Sequence, residues 1–91
     1  DVDRGDAFEQ ATRYLIGEGH TRIVLLDIDP SRQHSSVKIR AFLRTMRREL
    51  GVDARKAVFR PRRVSFGEVF HIAMMALDRV KGATALLLTD N

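Results

Sequence analysis

The side chains best able to bind or react with a small molecule gather where apolar runs of the chain end, at residues 29–36, 61–64 and 90–91. Catalysis is the first chemistry to weigh. The chain has no Gly-x-Ser-x-Gly elbow, no glycine-rich phosphate cradle and no grouping of His, Asp and Glu at metal-ligand spacing. His20, His34 and His71 are far apart, and His71 falls inside a helical pattern. Asp27 and Asp29 close an apolar run, are assigned to opposite faces and so form no acid–base pair. No base, nucleophile and oxyanion donor can be assembled, and the chain is expected to be neither an enzyme nor a metal- or cofactor-bearing protein. Binding fits better. Arg32, His34 and Lys38 offer donors, Asp6 offers an acceptor and Asn91 an amide. A few convergent polar groups of this kind are what a small-molecule site requires.

Three apolar runs and three helical patterns must position these groups. The run at residues 23–26 is continuous rather than alternating, follows Gly19-His20 and stops at Asp29-Pro30. This predicts a strand over 22–28 buried on both faces, as in the middle of a parallel sheet. Ahead of it, Asp6 and Glu9 make a capping-box arrangement for a helix over 7–16, with Phe8, Ala11 and Leu15 at helical spacing and Gly17 and Gly19 as the stop. Residues 29–36 read as a polar loop. A second helix, 37–50, turns Ala41, Phe42, Thr45, Met46 and Leu50 inward and Arg40, Arg44, Arg47 and Arg48 outward, with Gly51 after it.

Ala57-Val58-Phe59 is a weaker strand. Ser65 and Glu68 form a second capping box, and Val69, Phe70, Ala73, Met74 and Leu77 make the inward stripe of the helix behind it, with the Met74-Met75 pair read as core filling. Gly82 ends that helix, and residues 84–89 form a third buried strand. The order α-β-α-β-α-β predicts the α/β class: a three-layer α-β-α fold with a parallel sheet and right-handed crossovers, ligands binding beyond the carboxyl ends of its strands.

Ninety-one residues make one small domain or part of a larger one. No apolar run is long enough to span a membrane, none reads as a leader, and cysteine is absent, so a cytoplasmic setting is expected. The net charge of +4 is unevenly spread. Residues 32–63 carry eleven Lys or Arg against Glu49 and Asp53, a local balance of +9, and the remainder is acidic. Such a block suits a nucleic-acid surface or a solvated helix face with a basic loop. The absence of aromatic residues among Arg60, Arg62 and Arg63 favours the solvated face over a stand-alone nucleic-acid module.

Asp3, Ala11, Leu15-Ile16, Gly19-His20-x-Arg22-Ile23, Ser65, Glu68, Leu77 and Thr84-Ala85 are laid out over essentially the whole chain as in the lactose-repressor/galactose-repressor (LacI/GalR) family. The chain resembles the core of the C-terminal lobe of that family's effector domain, a half of the periplasmic-binding-protein-like I fold. The resemblance implies a bacterial transcription regulator that binds a small-molecule effector, is a homodimer, and contacts operator DNA only through a helix-turn-helix headpiece outside this sequence. It implies effector contacts from Asp6, Arg32, His34 and Lys38, and from Asn91 in the pair after the third strand. Lys38 stands where the family usually has arginine, and Asp90-Asn91 reverses the usual Asn-Asp. With these departures the expected effector is a sugar, a phosphosugar or another small anion. A sugar-binding protein of the periplasmic solute-binding type is the alternative, since it shares the fold.

Overall fold

The computed structural model describes residues 2–89 and confirms the α/β class, with three helices around a three-stranded parallel sheet. Helix α1 (Val2–Gly17) leads into strand β1 (Ile23–Asp27), then helix α2 (Arg32–Leu50), a 3-10 turn (Arg55–Ala57), strand β2 (Val58–Phe59), helix α3 (Phe66–Arg79) and strand β3 (Ala85–Thr89). The sheet order is β2-β1-β3. Strand β1 is central, and all five of its residues are buried, as its unbroken apolar run requires. The α2 crossover steps from β1 to one side and the α3 crossover steps across β1 to the other. With right-handed connections the two helices therefore cover opposite faces. Helix α1 packs on α2, and α3 packs on β1.

The core forms where α2 meets the sheet. Ile23, Leu25, Phe42, Met46 and Ala54 are buried together, with Phe8, Leu15, Ile39, Leu43 and Val58 packed around them. The expected inner stripe of α2 holds, since Ala41, Phe42, Thr45 and Met46 are all buried. Two threonines within helices satisfy their hydroxyls locally, Thr12 on the Phe8 carbonyl and Thr45 on the Ala41 carbonyl. Gly51 takes a left-handed φ of 68° after α2, and its N–H donates to the Arg47 carbonyl, closing the helix.

Four expectations are corrected. Helix α1 begins at Val2, so Asp6 lies inside it and caps nothing. Gly5, also inside the helix, sits so near α2 that an added Cβ would meet Val37 at 3.3 Å. The polar segment 29–36 is mostly helix, because Ser31 is the N-cap of α2 and accepts from the His34 N–H. The inward stripe of α3 is also rotated. Ala76 is its buried residue, whereas Phe70, Met74 and Leu77 are exposed, as is Phe66. Met74 is therefore surface, not core. The reason lies in composition: α3 is apolar on two sides and the described residues cover only one, while α2 carries arginines on its outer side. Strand β3 is less buried than expected, with Leu88 exposed, because it is an edge strand.

Phe42 fills the centre of the core at 0% exposure. Phe42→Ala should cost about 3–5 kcal/mol, read as a fall in the urea midpoint at unchanged slope.

Candidate ligand-binding site

The carboxyl ends of the three strands are joined by one buried acid. The register places Asp27 of β1 beside Thr89 of β3, and the Thr89 hydroxyl donates to Asp27 Oδ1. Ser35, one turn into α2, donates through Oγ to Asp27 Oδ2 at 2.7 Å. Arg60, the residue after β2, brings Nε and Nη2 to the same oxygen at 2.7 Å each. The Asp27 side chain is 1% exposed, yet it is fully partnered. Thr89 Oγ1 accepts in turn from the Ile28 N–H at 3.1 Å and more weakly from the Asp29 N–H.

Asp29 makes a second, adjoining pair. Its Oδ1 accepts from the Ser31 N–H at 2.9 Å, an Asx turn that delivers Ser31 as the cap of α2. Its Oδ2 lies 3.0 Å from Lys38 Nζ, and both side chains are buried. The first turn of α2 has no acidic side chain of its own, so Asp29 supplies the negative charge that its positive dipole end favours. The assignment of Asp27 and Asp29 to opposite faces does not stand. Alternate residues share a face within a strand, β1 ends at Asp27, and the Asp29 N–H reaches back to Asp27 Oδ1 at 3.3 Å.

Both carboxylates are held in the charged form. Burial pushes the Asp27 carboxyl up, but hydrogen bonds from Thr89, Ser35 and Arg60 together outweigh it and leave the group below its usual value of 3.8. Asp29 is also lowered, first by the Ser31 N–H, with burial opposing and Lys38 assisting. Neither acid can act as a neutral proton donor near pH 7. What the cluster offers a ligand is a set of fixed hydrogen-bonding groups whose charges already cancel, Asp27 with Arg60 and Asp29 with Lys38.

The residues singled out from sequence are only partly brought together. Lys38 is buried in the cluster, and the half-buried His34 is near enough to help hold Asp29 ionised. Arg32 is exposed at the start of α2, beside Ser35, Arg40 and Arg60. Asp6 is exposed on α1, with no hydrogen bond or ion pair among the described residues. Asn91, like Asp90, lies outside the described residues. Sequence reasoning missed Asp27, Asp29, Ser35, Arg60 and Thr89. The usable signal was an acid at the end of a fully apolar strand, which must find donors to be buried. Among the described residues, no group of three or more His, Asp or Glu is arranged to hold a metal ion.

A cavity of 520 Å³ lies at the opposite, amino end of the sheet, walled by Thr21, Ile23, Met46, Ala57, Phe59 and Val80. Arg22, Asp53, Lys56 and Arg79 also line it, so it joins an apolar wall to charged groups and stands as a second candidate beside the carboxyl end.

Because the Asp27 pKa is lowered on folding, its contribution is full above about pH 3.8 and is lost as pH falls below that. Asp29 and Asp53 follow the same sign, Asp53 being held at about 2 by Arg55. Asp27→Asn should therefore lower stability by about 2 kcal/mol at pH 7. The gap between variant and wild type in urea titrations should narrow as the solution is taken below pH 3.8. A gap independent of pH would refute this assignment.

Compared with known proteins, the chain matches no family model, no curated protein and no solved structure, so the functional reading rests on the chain's own residues and geometry.

Proposed function

We propose that this chain is the effector-binding part of a LacI/GalR-type transcription regulator, the core of its C-terminal lobe, with the ligand held at the carboxyl end of the sheet. The observation that carries the reading is that the residues of the resemblance meet in space. His20 Nδ1 lies 2.8 Å from Thr84 Oγ1, Arg22 Nη1 donates to the Lys81 carbonyl at 2.7 Å, and the Thr84 N–H donates to the Arg22 carbonyl. Gly82, at φ 80°, accommodates Arg22 so closely that a Cβ there would come within 3.1 Å of Nη1. The Gly-His-x-Arg-Ile motif thus clasps the entry to β3 at the amino end of the sheet. The opposite end is left to the loops that bind ligands in open parallel sheets.

The ligand's charge follows from the pairing. An anion seated on Lys38 or Arg60 would have to draw Lys38 away from Asp29 or Arg60 from Asp27, and stripping a buried carboxylate of its partner is costly. The exposed Arg32, without an ion pair among the described residues, could meet an anion without that cost. A neutral polyhydroxylated molecule such as a sugar needs only donors and acceptors, which this end supplies through Lys38, Arg32 and His34. The reading therefore shifts from an anionic effector toward a neutral one. Effector binding would favour one arrangement of lobes and so couple to operator binding through the headpiece, in a cytoplasmic protein. Calorimetric titration of the full-length protein with neutral sugars, phosphosugars and organic acids decides the ligand class. Neutral sugars should bind, and Lys38→Met should weaken them at least tenfold. Binding of the anions alone would reverse the ligand assignment, and no binding by any class would remove its support.

A homodimer belongs to the same reading. Phe66, Phe70, Met74 and Leu77 make an exposed apolar stripe on α3, with Phe66 and Phe70 stacked at 6.2 Å, and Leu88 is exposed on β3. A second copy covering the stripe would make an isologous contact. Sedimentation of the 91-residue chain should show a concentration-dependent dimer, and Phe70→Glu should return it to monomer. A monomer at high concentration in the unaltered chain would contradict the dimer.

A further inference from the structure

The block of positive charge is not scattered over the surface. Three depressions follow one another between the outer side of α2 and the outer edge of β2. The first, 490 Å³, lies between Arg44, Arg47 and Arg55 over Leu43 and Val52, with Asp53 also on its wall. The second, 330 Å³, shares Leu43 and Arg55 with it and adds Ile39, Val58 and Arg60. The third, also 330 Å³, shares Ile39 and Arg60 with the second and ends between Arg32 and Arg40. Shared walls make them one groove, with an aliphatic floor and arginine sides. Arg32, Arg40 and Arg47 form no ion pair among the described residues; Arg44, Arg55 and Arg60 face Glu9, Asp53 and Asp27.

We infer that this groove is a docking surface for an acidic, partly apolar segment of another protein, laid in extended form along the outer edge of β2. Length, charge and floor select this occupant. From Arg32 to Arg47 the helix rises roughly 22 Å, the span of about seven extended residues. Strand β2 pairs only with β1, so its other edge is open among the described residues, and a strand added there gains main-chain hydrogen bonds. Alternating side chains would then place apolar groups on Ile39, Leu43 and Val58 and carboxylates between the arginines. Nucleic acid fits less well, since no aromatic side chain lines any of the three depressions to stack on a base. An acidic partner would also relieve crowding of like charge. Arg40, Arg44 and Arg48 repeat at four-residue spacing on α2, an arrangement of like charges that weakens a helix standing alone.

The test uses fluorescence anisotropy with three labelled probes at physiological salt: a nine-residue peptide alternating Glu and Leu, its Glu/Ser counterpart of equal charge, and a 20-base-pair duplex. Arg40 and Arg47 are the residues to change, because they stand apart from the Asp27 cluster. The Glu/Leu peptide should bind at least tenfold more tightly than the Glu/Ser peptide and the duplex. Arg40→Glu combined with Arg47→Glu should weaken it at least tenfold while circular dichroism stays unchanged. Should that variant fail to fold, the milder Arg40→Gln with Arg47→Gln should weaken binding at least threefold. Equal binding of the two peptides, tighter binding of the duplex, or no peptide binding overturns the inference.

Discussion

The buried carboxylate of Asp27 is the constraint on which the rest depends. A charged oxygen pair at 1% exposure is tolerable only when its lone pairs are filled. Filling them draws one donor from each neighbouring element: Thr89 from β3, Ser35 from α2 and Arg60 from the chain after β2. The acid therefore sets where all three strands end relative to one another. Strand β2 has only two residues, and the Arg60 contact compensates for a ladder too short to fix its own register. Asp29 repeats the device one step later, turning the chain through Ser31 into α2 and holding Lys38.

The two ends of the sheet are fastened by different chemistry. At the amino end, His20 and Arg22 reach Thr84 and Lys81, contacts to a hydroxyl and a carbonyl that leave little free. At the carboxyl end, the buried Lys38 is paired with Asp29, beside the half-buried His34 and the exposed Arg32. The amino end is a clasp, while the carboxyl end sets Arg32 and His34 beside its paired charges, which supports the proposed placing of the ligand there. The outer face of α2 has excess positive charge and too little acid to balance it, and Arg60 joins that groove to the neutral cluster through Asp27.

Much of the fold was legible because punctuation and periodicity agreed. Ile23 to Leu26 between Gly19 and Pro30, Gly51 after α2, and Ser65 before Glu68 each mark an element that forms as read. The misreadings arose where local pattern was outweighed by distant partners. Residues 29–36 look like a loop because they are polar, yet Ser31 and Ser35 are polar to cap a helix and to meet Asp27. The α3 stripe was misplaced because the apolar arc of α3 is wider than the surface it packs against, so its polar side with Glu68, His71 and Asp78 does not tell which part of the arc is covered. Of the site, Lys38, His34 and Arg32 were named from sequence, but the acids that organise them were set aside. Nothing local in Asp27 announces Arg60 thirty-three residues later or Thr89 on another strand.

The central claim is that a neutral polar effector binds at the carboxyl end of the sheet. Backbone amide spectra of the full-length protein, recorded with and without a saturating neutral sugar, test it most directly. The account predicts the largest shifts at Asp29, Ser31, His34, Ser35 and Thr89. Shifts confined to the amino-end cavity around Thr21, Met46 and Phe59, or none anywhere, would contradict it.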